Sequence, residues 1–145
     1  MQSKKRAAVI TDVFYGLEDH GILSCNLSLE FIVGGTTQLF GGVNLSAPGS
    51  GVDFYNSICR LFRAQDLEQI IGKRCYALYC FGNNNEPIEG IETEYGNRFT
   101  LTSFMKRYDS TILSPIEKMK QRYFDEIERS KDRIMNAATQ LKFLD

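Results

Sequence analysis

The chain has no tryptophan, one histidine and only three prolines in 145 residues. His20 stands alone, and Cys25, Cys59, Cys75 and Cys80 are scattered singly through apolar runs without a CxxC pair. A zinc site is therefore not expected, and neither is any other metal or cofactor. The thiols read as small buried hydrophobes of a protein kept in a reducing cytoplasm. No apolar run approaches the roughly 20 residues of a membrane span. The start is basic, but residues 7–14 are too short for a signal-peptide core and are interrupted by Thr11 and Asp12. Seventeen Lys and Arg face eighteen Asp and Glu, for a net charge of −1. That balance argues against a basic field for nucleic-acid polymers. The chain also lacks GxSxG, Walker and HExxH motifs.

What it does have is a long amphipathic segment at residues 114–144. Ser114-Pro115-Ile116-Glu117 is a capping box with proline at the first helical position. Apolar or small residues recur at Ile116, Met119, Tyr123, Ile127, Ser130, Ile134, Ala137, Leu141 and Leu144. Their alternating spacing of three and four is a heptad seam. A helix of about 31 residues spans roughly 46 Å. A domain of roughly 110 residues is only about 26 Å across, twice its radius of gyration. Much of the seam is thus expected to meet a second chain. Beside it runs a basic stripe of Lys118, Arg122, Arg129 and Arg133. These four fall within about 40° of one another, roughly 100° from the seam. They either lay their stems over the seam or form a rail for an anionic ligand.

The rest reads as α+β: residues 1–110 as a ligand-binding core, an antiparallel sheet with packed helices, and residues 111–145 as the long oligomerising helix. Residues 7–14 are a strand, 16–21 a turn, and 22–33 a half-buried strand with Leu23, Cys25, Leu27, Leu29 and Phe31 on one face. Gly34-Gly35 is a hairpin turn, and residues 38–45 return as a strand broken at Gly41-Gly42 by a bulge or close backbone approach. Residues 52–64 form a helix with Tyr55, Ile58, Leu61 and Phe62 on one face. Asp66 caps a shorter helix ending at Gly72. Residues 74–81 and 87–93 are strands around the Gly82-Asn83-Asn84-Asn85 turn, and residues 99–108 are ambiguous.

Glu18, Asp19 and His20 are the only local acid–base cluster, and an acidic, glycine-flanked turn is more often a hydrogen-bonded loop. No catalytic residue is expected, and Cys59 and Cys75 show no sign of activation. Anion binding has two candidate places: the basic rail with Arg122, Arg129 and Arg133, and Gly49-Ser50-Gly51 leading into a helix that carries Arg60 and Arg63. Phe81, Tyr95 and Phe99 flank polar turns, where a ring can stack on a base. We expect Phe81 or Phe99 to stack, Asn97 and Arg98 to reach polar edges, and the rail to meet phosphate.

Ile10-Thr11-Asp12, then Gly16-Leu17-Glu18-Asp19-His20-Gly21-Ile22-Leu23, Gly34-Gly35, Gln38-Leu39-Phe40-Gly41-Gly42, and later Asp66-Leu67-Glu68 with Gly72-Lys73, follow in order. This order resembles a widespread family of small phage proteins with a GxEDHGI turn and a QxFGG strand. It is similar to the phage anti-Thoeris sponges, the first of the Thoeris anti-defence families, over roughly residues 7–100. The resemblance implies a non-enzymatic protein in the cytoplasm of the infected bacterial host. It would sequester cyclic ADP-ribose isomers made by TIR-domain defence enzymes, and some members also hold cyclic oligonucleotides. It implies a homo-oligomer, dimer or hexamer. Two other classes fit the residues: a module whose seam docks a protein partner, and a phage single-stranded nucleic-acid accessory factor.

Overall fold

The strict alternation of residues 23–31 sets one face of the sheet. In the computed structural model, which describes residues 4–81 and 86–142, this segment is strand β2 (Leu23–Phe31). It buries Cys25, Leu27, Leu29 and Phe31 on one side. Its neighbour β1 (Lys4–Leu17) runs antiparallel to it. β1 is longer than the expected 7–14, and the turn after it narrows to residues 18–21, closed by Gly21 N–H to Glu18 O at 2.8 Å. The register slips between Ile10 and Asp12. There Ile10 N–H donates to Lys73 O and Ile10 O accepts from Gly72 N–H. A bulge bends its strand, and β1 pairs with β4 (Arg74–Tyr79) only as far as Val9.

Strand β3 (Thr37–Gly41) returns beside β2 and stops at Gly41. The reason is a close approach: a Cβ on Gly41, whose φ is 101°, would collide with the Cys25 carbonyl. β5 (Gly90–Thr93), shorter than the expected 87–93, and β6 (Arg98–Thr100) complete an antiparallel sheet in the order β3-β2-β1-β4-β5-β6. The Gly82-Asn83-Asn84-Asn85 turn lies outside the described residues.

Between β3 and β4 the chain forms α1 (Ser50–Leu61), which starts two residues before the expected helix and ends three before it. It touches both β2 and β6, and so lies across the sheet. Its inward stripe is Phe54, Ile58 and Leu61, with Phe62 just beyond, while Tyr55 is only half-buried. Burying each such side chain contributes about 1.5–3 kcal/mol. Asp66 accepts from Gln69 N–H and caps a single 3-10 turn, Leu67–Ile70. The ambiguous 99–108 stretch splits: its first two residues end the edge strand β6, and the short helix α2 (Leu101–Lys106), capped by Thr100, follows. The composition alone gave no way to separate a strand that short from a helix that short.

The chain divides into two compact units, Met1–Ile112 and Leu113–Asp145. The second holds α3 (Pro115–Lys142), where the Ser114 hydroxyl accepts from Glu117 N–H at 3.1 Å, one half of the capping box. Met119, Tyr123 and Ile134 of the seam are exposed. The side chain of Leu141, and Leu144 altogether, lie outside the described residues. Among the described residues no helix is long and apolar enough to cross a membrane.

Candidate functional site: an arginine groove at the sheet edge

Strand β6 forms one edge of the sheet, and no strand of the described residues pairs with its outer side. A groove of about 560 Å³ opens there. One wall is α1, with Ser57, Arg60 and Leu61; the other is Asn97, Arg98 and Phe99, with Arg107 at the end of α2. Three cations line it, and no acid among the described residues does. A smaller hollow of about 220 Å³ continues past Arg98 and Arg107 to Thr100 and Ser103. Pockets of several hundred Å³ are the usual size for small organic ligands.

Two of the arginines are braced from behind. Arg98 Nε donates to Glu92 at 2.8 Å, its cross-strand neighbour, and Lys5 Nζ donates to the other Glu92 oxygen at 2.8 Å. The Lys5 and then the Arg98 hydrogen bonds hold the Glu92 carboxyl below its ordinary acidity range. Arg107 Nη1 lies 3.2 Å from both Asp53 oxygens. The Tyr108 hydroxyl and then Arg107 lower the Asp53 carboxyl. Arg60 is different. Its Nε donates to Asn56 O at 3.3 Å, and among the described residues its guanidinium meets no carboxylate. A guanidinium has five N–H donors, so each arginine keeps donors for a ligand.

The floor is aromatic. Phe99 is only 8% exposed, and its ring sits 5.3 Å from Phe54, 5.8 Å from Phe104 and 6.2 Å from Phe40. It reaches the groove as a core ring, with neighbours on several sides. A base stacked on it would have to displace one of them, so the expectation of an open stacking face at Phe99 is corrected. The polar turn beside it signalled exposure, but the inward register of Phe99 opposite Ile91 decided burial.

Four of the eight expected site residues, Arg60, Asn97, Arg98 and Phe99, thus come together. Phe81 does not join them. It is 41% exposed beyond β4, and its N–H donates to Glu86. Arg122, Arg129 and Arg133 are exposed on α3 in the second unit, with Arg129 Nε on Asp125 O at 3.3 Å. The glycine loop at the start of α1 is not an anion site for Arg60 and Arg63. Ser50 and Gly51 are buried, with a Gly51 Cβ landing 2.5 Å from Leu23. Arg60 lies in the last turn of α1, about 15 Å along the helix from its start. Ser57 and Arg107 were missed in the sequence. Ser57 sits one turn after Asp53 and donates to it at 3.3 Å, a spacing that marks a shared helix face.

Glu18, Asp19 and His20 occupy an exposed turn. Burial raises all four thiols, Cys25 and Cys75 to about 12, so none is an activated thiolate. No three His, Cys, Asp or Glu side chains converge among the described residues. No protein-family model, curated protein or solved structure matches the chain.

Proposed function

We propose that the chain binds a phosphate-bearing cyclic nucleotide in the arginine groove and holds it without cleaving it. The observation that carries this reading is the convergence of Arg60, Arg98 and Arg107 with Asn97 and Ser57 around one acid-free groove. Guanidinium groups match phosphate oxygens in charge and geometry. Asn97 offers an amide to a base edge or a ribose hydroxyl, and Ser57 a hydroxyl. Each charge-assisted contact is worth about 1.5–3 kcal/mol. Three of them with an amide total roughly 5–10 kcal/mol before the cost of association, so the about −12 kcal/mol of nanomolar binding also calls for apolar and base contacts.

The carboxylates beside the arginines, Asp53 and Glu92, are tied up in ion pairs and held below their ordinary range, so neither is poised as a general acid or base near neutral pH, which suits sequestration over turnover. The motif resemblance names the ligand class, cyclic ADP-ribose isomers, and with it a phage anti-defence sponge that blocks Thoeris immunity in the host cytoplasm. The exposed seam of α3, with Tyr123 at 64% and Ile134 at 69%, supports a homo-oligomer. The same exposure favours the second reading, a helix that docks a different protein.

Native mass spectrometry of the protein with a panel of cyclic nucleotides tests both. A retained, intact cyclic ADP-ribose isomer on an oligomer supports the sponge. A ligand-free monomer across the panel contradicts it.

A further inference from the structure

Helix α1 ends in an arrangement where glycine is usual and an arginine stands. Ala64 N–H donates to Cys59 O at 2.8 Å, and Arg63 N–H to Arg60 O at 3.2 Å. This pair of bonds places the residue after the cap in the left-handed region. That residue is Arg63, φ 55°, the only non-glycine with positive φ among the described residues. Backbone strain held at such a position is a pointer to a site when the side chain has somewhere specific to go. Here it goes over Tyr95, whose ring centroid lies 4.1 Å from the guanidinium carbon. Among the described residues Arg63 has no carboxylate partner, so its N–H edge keeps its donors.

Tyr95 borders a hollow of about 260 Å³ that shares no lining residue with the arginine groove. Phe62, Lys73, Arg74, Thr93 and Glu94 share its wall, and Arg63 reaches its border over Tyr95. Thr93 is 2% exposed, and its hydroxyl oxygen has no hydrogen-bond partner among the described residues. A buried hydroxyl left unpaired is unfavourable, and each such case calls for a partner. Lys73 Nζ donates once, to Phe62 O at 3.1 Å, which leaves two N–H donors. Donors from Lys73 and Arg63 with a free hydroxyl at Thr93 suit a phosphate. Glu94, exposed in the same wall, disfavours a bare anion but accepts from a ligand hydroxyl. We infer that this hollow binds a small sugar phosphomonoester, its phosphate toward Lys73 and Arg63 and a sugar hydroxyl toward Glu94.

The test is amide-resolved NMR titration of the full chain with ribose 5-phosphate, inorganic phosphate and ribose. Ribose 5-phosphate is expected to shift the Lys73, Thr93 and Tyr95 amides saturably, inorganic phosphate more weakly, and ribose not at all. Thr93→Val keeps the shape and removes the hydroxyl. Arg63→Gly removes the cation at a position glycine adopts without strain, so the fold is kept. Each is expected to weaken ribose 5-phosphate binding about tenfold or more. Absence of shifts, shifts confined to Ser57 and Ser103, or wild-type affinity in both variants would overturn the inference. Inorganic phosphate binding as tightly as ribose 5-phosphate would overturn the assignment to a sugar ester.

Discussion

The Tyr108 hydroxyl donates to the Asp53 carboxylate at 2.5 Å, across 55 residues of chain. Arg107, one residue earlier, reaches the same carboxylate. The first turn of α1 is thereby tied to the residues that follow α2, and Arg107 is fixed at the mouth of the groove. The Phe54–Phe104 contact, at 5.1 Å between centroids, supports this tie from below.

This tie has a pH signature. Asp53 titrates below its ordinary value in the fold, held by Tyr108 first and Arg107 after. Its contribution is complete above the ordinary carboxylate range near pH 4 and is lost as pH falls through the lower folded value. Tyr108 is raised, by Asp53 first, so its contribution is present below about pH 10 and lost as pH climbs through the raised value. Thermal unfolding across pH should give a plateau that declines at both ends. Tyr108→Phe should soften both declines, leaving on the alkaline side the share of the buried thiols and Tyr79, and on the acid side that of Arg107 with Asp53, Glu92 and Asp109. A Tyr108→Phe profile parallel to wild type would contradict the coupling.

Phe99 is a stability residue first. Phe99→Ala should cost about 3–5 kcal/mol in urea unfolding, as expected for a core aromatic. A loss under about 1 kcal/mol would be that of a surface position and would return Phe99 to the list of stacking candidates.

The fold was legible where pattern and function of a residue coincide. The alternation of β2, the Gly34-Gly35 turn, the Asp66 cap and the Ser114 box all act locally, and a local signal survives in the sequence. The β1 bulge was not legible, because it depends on Gly72 and Lys73 meeting Ile10 from 62 and 63 residues away. The site was half legible. Asn97 and Arg98 were singled out together, but Arg60 for a separate place, the glycine loop before α1. What joins them is the packing of α1 against β6, a long-range contact with no periodic trace. Arg107 and Ser57 escaped because their partner, Asp53, is distant from one and hidden in a helix with the other.

Arg60→Ala should separate binding from stability. Arg60 is exposed and its one described side-chain bond is to its own helix. Its removal should weaken a cyclic ADP-ribose isomer about 10- to 150-fold in calorimetric titration, with the melting temperature unchanged. Unchanged affinity would take Arg60 out of the site.

The seam of α3 is tested by charge. On the homo-oligomer reading, Ile127→Lys with Ile134→Lys would place two ammonium groups in a desolvated interface at a cost of several kcal/mol. Sedimentation should show a monomer in place of the oligomer. A double variant that sediments as the wild-type oligomer would show that the seam lies elsewhere.

The central claim, that the arginine groove holds a cyclic nucleotide intact, is met most directly by calorimetric titration of the wild-type protein with a cyclic ADP-ribose isomer. The complex is then heated to release the small molecule, which is identified by chromatography. The account predicts saturable, nanomolar binding and recovery of the unaltered ligand. No heat of binding, or a hydrolysed product in the supernatant, would contradict it.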